Sequence, residues 1–143
     1  MPADPPPRLA FVDTDVLVYA FDASEPAKQA RALELLADED ADLVLSAQVL
    51  NEFYWVATRK LSPPLALEVA HEVVRELSLG RVVSVDADLV DRAIELSRTH
   101  GLALWDAGVV VAAQTAGCGV LWTEDLSAGQ RFDGVVVRDP FAR

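Results

Sequence analysis

Short apolar runs alternate with longer stretches of helical periodicity, and that alternation limits what this chain can fold into more than any other feature. Residues 9–12, 42–45, 81–85, 120–122 and 135–137 are mostly apolar, rich in β-branched side chains and too brief for helices, so each reads as a strand. The segments between them carry apolar residues at three- and four-residue spacing, the period of a helix with one buried face. Strands separated by helices pair in parallel, because a crossover must carry the chain back to the same end of the sheet. The expected fold class is therefore α/β: a central, mostly parallel sheet of four to five strands in three layers, with helices on both faces.

Punctuation residues sharpen the pattern. Apolar residues 16–21 predict a first helix directly after the first strand. Ser24 is the expected N-cap of the next, with Pro26 in its first turn and Ala30, Leu33 and Leu36 inward. Ser46 caps a helix that carries Val49, Leu50, Phe53 and Val56 inward and places Arg59 and Lys60 in its last turn. Ser62-Pro63-Pro64 stops that helix, the following one ends at a C-cap Gly80, and Asp86 caps another that ends at His100-Gly101. Residues 105–116 are apolar on most sides and predict a helix buried against the sheet, closed by Gly117-Cys118-Gly119.

At 143 residues the chain fits one domain, residues 9–143, preceded by a Pro-rich tail over residues 1–8 that has no apolar leader core. No apolar run reaches the roughly 18 residues of a membrane span, so no membrane association is expected. Cys118 is the single cysteine, which rules out an intrachain disulfide and points to a reducing, cytoplasmic setting. Twelve basic against 23 acidic residues give a formal charge of −11, which argues against passive, charge-driven attachment to nucleic acid. A nucleic-acid enzyme stays open if cations neutralise its acids locally and Arg59, Lys60 or Arg131 supplies positive potential.

Four carboxylates fall at the junctions of this pattern. Asp13 follows the first strand, Glu52 lies in the helix after the second, Asp106 begins the apolar helix, and Asp125 follows the fourth strand, with Glu124 competing for that last place. In open α/β sheets such positions gather at the carboxyl edge of the strands, where ligands bind. Acids crowded there repel one another unless a cation sits among them, and oxygen donors select a hard ion such as Mg²⁺ or Mn²⁺. Such an ion activates water on its own, so neither His71 nor His100, the only two histidines, is required.

The same segments resemble the four motifs of PIN-domain nucleases. Phe11-Val12-Asp13-Thr14-Asp15 is similar to the opening motif, Ser46-Ala47-Gln48-Val49-Leu50-Asn51-Glu52 to the second, Leu104-Trp105-Asp106-Ala107 to the third, and Thr123-Glu124-Asp125-Leu126 with Gly129-Gln130 to the fourth. Order, spacing and length resemble the VapC-like toxins of bacterial toxin–antitoxin pairs, over roughly residues 9–141. The resemblance implies a PIN-like three-layer fold and a Mg²⁺- or Mn²⁺-dependent endoribonuclease. Asp13, Glu52, Asp106 and Asp125 would be its metal-binding catalytic acids, and Thr14, Asp15 and Thr123 their close polar support. It further implies an RNA substrate, a homodimer and a small cognate antitoxin that covers the site. Asp15 departs from the family, which most often has Asn there.

Competing readings of these residues are blander. Asp86, Asp88 and Asp91 read as cap and first-turn charges on an exposed face, and Cys118 as a packed small side chain. Of Trp55, Trp105 and Trp122, at least two are expected in core or dimer packing. A haloacid-dehalogenase-like phosphatase matches Asp13-Thr14-Asp15 literally but needs a late lysine, and none follows Lys60. A catalytically silent PIN-like interaction module is the non-enzymatic alternative.

Overall fold

A computed structural model describes residues 8–142. Among them the elements run β1 (Arg8–Val12), α1 (Thr14–Tyr19), α2 (Pro26–Leu36), β2 (Ala41–Ser46), α3 (Ala47–Arg59), α4 (Leu67–Leu77), β3 (Arg81–Val83), α5 (Ala87–His100), α6 (Leu104–Thr115), β4 (Val120–Trp122), β5 (Arg131–Phe132) and β6 (Val135–Arg138). The tail expected over residues 1–8 lies outside the described residues except for Arg8, which already belongs to β1. No helix among the described residues is long and apolar enough to cross a membrane.

The strands form one sheet in the order β3-β2-β1-β4-β6-β5. All pairings are parallel except β5 with β6. The sheet thus has six strands rather than the four to five expected. The extra strand is a two-residue piece joined to β6 by Asp133-Gly134, whose φ angles of 44° and 89° are both left-handed. An Asp-Gly pair with that geometry is a strong hairpin signal, present in the sequence but masked by the brevity of the strand it makes.

Consecutive residues Ala10, Phe11 and Val12 of β1 are all buried. Successive strand residues face opposite sides, so β1 is covered on both faces, as a central parallel strand must be. α6 packs on β2, β4 and β6 and is itself covered by α5, which is why Ala107 to Ala113 are buried without a polar face. α3 buries Val49, Phe53 and Ala57 at four-residue spacing and packs against α1 and α4. Full burial of a side chain such as Phe11 or Phe53 stabilises the fold by about 1.5–3 kcal/mol.

Several local expectations needed correction. Glu25, not Ser24, occupies the N-cap of α2, because Ser24 is engaged with the Asp22 carboxylate in the preceding turn. α2 buries Ala32 and Leu35 and packs Leu36 half-buried against the core, as expected for Leu36, while Ala30 and Leu33 are exposed. Both stripes are apolar, and Arg31 decides between them: it donates to the Pro140 carbonyl at 2.9 Å and lies over the Trp122 ring. Ser78 rather than Gly80 caps α4, its hydroxyl closing the last turn on the Val74 carbonyl at 2.7 Å. Trp55 and Trp105 are 54% and 67% exposed, so of the core and dimer packing expected for them the core is excluded.

Candidate metal centre

The chain goes from β1 outward to β2 and β3, then returns to place β4 on the other side of β1. The crevice outside the carboxyl ends of two such strands is the position where open α/β sheets bind ligands. Val12 pairs with Trp122, so the next residues, Asp13 and Thr123, emerge side by side from the same edge, tied by Asp13 N–H donating to the Trp122 carbonyl at 3.0 Å. Both are buried, Asp13 at 5% exposure and Thr123 at 0%.

Asp13 also caps α1, one oxygen accepting the Thr14 N–H at 2.7 Å. Its other oxygen accepts the Thr123 hydroxyl at 2.9 Å. That hydroxyl accepts the Asp125 N–H at 3.0 Å, and its single proton faces Asp13 more closely than Asp15, whose oxygen lies at 3.4 Å. Asp15, one residue into α1, accepts the N–H groups of Val16 at 2.7 Å and Glu124 at 2.9 Å. One carboxylate oxygen from each of Asp13, Asp15 and Asp125 lies within 4.8 Å of the others. Asp15, expected only as support, therefore stands in the tightest acidic group.

Glu52 projects from α3 on a face separate from the core stripe. It accepts the Thr14 hydroxyl at 3.0 Å and the Gln48 carboxamide at 3.3 Å. Asp106 lies in the first turn of α6, where free N–H groups favour a negative charge. Glu52 and Asp106 stand outside the tight group, but the charge of Glu52 raises the carboxyls of Asp13 and Asp125, and Asp125 and Glu52 raise that of Asp106. Glu124 turns away, held by the Tyr19 hydroxyl at 2.7 Å and Lys28 at 3.0 Å. Of the two neighbours, Asp125 is the one that joins Asp13 and Asp15.

Burial dominates the electrostatics. It pushes Asp13 up to about 6, against hydrogen bonds from Thr14 and Thr123 that favour the charged form. Burial and the neighbouring Asp13 push Asp15 up to about 8. Asp106 and Asp125 are raised as well, again by burial first and other carboxylates second. A site that holds acids against both desolvation and mutual repulsion fits a hard divalent cation, and its donors are all oxygen.

Asp15 and Asp125 border a pocket of about 340 Å³ that also includes Thr14, Glu52 and Lys60. Beside it runs a wider groove of about 750 Å³ lined by Gln48, Asn51, Tyr54, His71 and Trp105. Gln48, Tyr19 and Lys28 were not singled out from sequence. Their partners lie four to 105 residues away, and only the i,i+4 spacing of Gln48 and Glu52 on α3 was visible in advance. Cys118 is buried, with its thiol pushed up to about 11 by that burial, in keeping with packing rather than chemistry.

Residues 10–130 match the sequence model of the PIN domain. Among solved structures, Mycobacterium tuberculosis VapC20, described as a Sarcin-Ricin loop cleaving toxin, is similar at a TM-score of 0.66 and 23% identity, covering 81% of this chain and 91% of that one. A toxin–antitoxin complex from Klebsiella pneumoniae matches at a TM-score of 0.67 and 20% identity, over 89% of this chain and 95% of that one. VapBC2 from Rickettsia felis, bound to a DNA fragment from its promoter, matches at 0.62 and 19% identity over 92% and 98%. No curated protein sequence matches the chain significantly.

Proposed function

The chain belongs to the PIN-domain family, and we propose that it is a metal-dependent endoribonuclease of the VapC-like toxin type. The observation that carries this reading is the meeting of Asp13, Asp15 and Asp125 at the β1–β4 edge, with Glu52 and Asp106 facing the same charge. Asp13, Glu52, Asp106 and Asp125 are the proposed catalytic acids and metal ligands, with Thr14, Asp15 and Thr123 positioning them. Mg²⁺ or Mn²⁺, when bound, supplies Lewis-acid activation of water and neutralises charge on the scissile phosphodiester.

The protein's own contribution is mostly preorganisation. Thr123 and the Thr14 N–H fix both oxygens of Asp13, and the backbone of Glu124 fixes Asp15. The Thr14 hydroxyl holds Glu52 toward the same centre. Lys60 borders the acidic pocket as a cation for substrate phosphate, and exposed Trp105 and Tyr54 in the adjoining groove offer faces on which unpaired bases stack.

The proposed partners are an RNA substrate, a second copy of the chain in a homodimer, and a small antitoxin. Support for the antitoxin comes from the fold neighbours solved as toxin–antitoxin complexes. The cytoplasm is the proposed location, in keeping with a lone buried cysteine. The test is cleavage of a structured RNA by the purified chain with Mg²⁺, Mn²⁺ or EDTA, beside Asp13→Asn. Cuts that require metal and disappear in the variant support the nuclease. Absence of cleavage and of calorimetric metal binding would favour a silent interaction module.

A further inference from the structure

Gly108 stands in the buried interior of α6, two residues after Asp106, where alanine would make the better helix. A Cβ placed on it would lie 2.7 Å from Oε1 of Gln48 and meets nothing else as closely. The Gln48 carboxamide thus occupies the space that a side chain at position 108 would take. Its nitrogen donates to Glu52 Oε1 at 3.3 Å and to the Trp105 carbonyl at 3.1 Å. Both partners are acceptors only, so the amide can be placed in only one orientation, nitrogen toward Glu52 and oxygen toward Gly108.

We propose that Gln48 is a positioning residue, seated by the missing side chain of Gly108, which brackets Glu52 on α3 to the first turn of α6 beside Asp106. The proposal rests on the metal-centre reading for its consequence, though not for its geometry. Glu52 and Asp106 come from different helices, and the hydrogen bonds Glu52 accepts come from Thr14 and Gln48, not from α6. Gln48 spans that gap through the backbone of Trp105, adjacent to Asp106. Outer hydrogen bonds of this kind orient metal-binding carboxylates and set how tightly they hold an ion.

The test compares the full chain with Gln48→Ala, Gly108→Ala and the double variant. Calorimetric titration with Mn²⁺ measures affinity, and the side-chain amide signals of Gln48 are followed by NMR in metal-free protein. Gly108→Ala is expected to keep or raise the thermal midpoint, move the Gln48 signals to free-glutamine positions, and weaken Mn²⁺ binding about tenfold. Gln48→Ala should weaken binding equally, and adding Gly108→Ala to it should change nothing more, because the seat is already empty. If Gly108→Ala is unstable, rescue of its stability by Gln48→Ala identifies the same seat.

Unmoved Gln48 signals in Gly108→Ala, unchanged affinity in both single variants, or additive losses in the double variant would overturn the proposal. A wild-type chain that binds no Mn²⁺ would defeat the nuclease reading instead. The Gln48 signals would then still uphold or overturn the seat by the same criterion.

Discussion

Two acidic clusters in this molecule have similar composition and opposite fates. Asp86, Asp88 and Asp91 are neighbours in sequence around the start of α5. Asp86 accepts the Leu89 N–H at 2.9 Å as a helix cap, Asp88 pairs with Arg92 at 3.3 Å while 78% exposed, and Asp91 is exposed. Asp13, Asp15 and Asp125 are drawn together across more than a hundred residues of sequence by β1 and β4, and the first two lie in low-dielectric surroundings. Water and one turn of helix satisfy the α5 cluster. At the strand edge Asp13 and Asp15 also meet a first helix turn, that of α1, but burial there pushes both carboxyls up. A site follows from where topology and desolvation place acids, not from how many occur together.

The largest expected contrast is in catalysis. Asp13→Asn should lower metal-dependent RNA cleavage by at least about a hundredfold, in the range seen when one preorganised electrostatic group is lost. Asp88→Asn and Asp91→Asn should leave it unchanged, measured on one RNA under one metal concentration. Equal losses in the two clusters would break the comparison.

Proton linkage separates the clusters next. Asp13 and Asp15 have folded-state values of about 6 and about 8, above the ordinary carboxylate value of 3.8. The folded protein therefore binds protons more tightly than the unfolded chain, and the associated stability is full below about pH 4 and lost as pH rises through 6 and 8. Urea unfolding of metal-free protein should show stability falling over that window, with the fall above pH 6 reduced in Asp15→Asn. Saturating Mg²⁺ should raise the thermal midpoint far more at pH 8 than at pH 5, since an ion at 100 times its Kd adds about 2.7 kcal/mol and competes with protons for the same oxygens. A midpoint that responds to Mg²⁺ equally at both pH values would contradict the linkage.

A smaller effect is expected at the neighbour of Asp125. Lys28→Met removes a partly exposed ion pair with Glu124, with side chains 35% and 26% exposed, and should change stability by no more than about 1 kcal/mol. The released Glu124 then adds a charge near Asp125, which already feels it. Mn²⁺ affinity measured by calorimetry should shift by only a few-fold, against complete loss in Asp13→Asn. The smallest effect belongs to the α5 surface, where Asp91→Asn should change the unfolding free energy, measured by urea titration, by no more than about 0.5 kcal/mol.

Much of the frame was legible in the amino-acid order because its signals are local. Ser46 and Asp86 cap their helices as side chains that accept an N–H three residues on. Gly101 ends α5 in the left-handed conformation that suits glycine, at φ 66°. The helix after the third strand and the buried α6 announce themselves by period and by unbroken apolarity. The acids past β1 and β4 were visible because strand ends are visible.

What stayed hidden depends on distant partners. Two apolar stripes of α2 are equivalent until Arg31 meets Pro140 and Trp122. The capture of Glu124 by Tyr19 and Lys28, which separates it from Asp125, joins residues 96 and 105 positions apart. The bracket from Gln48 to Trp105 crosses 57. Asp15 reads as an ordinary first-turn acid until the Glu124 N–H and the neighbouring Asp13 place it in the cluster.

The most direct measurement is the anomalous difference density of crystals soaked in Mn²⁺ near pH 8. The account predicts a peak bounded by carboxylate oxygens of Asp13 and Asp125, and none at Asp86, Asp88 and Asp91. Density at the α5 cluster with an empty β1–β4 edge would contradict it.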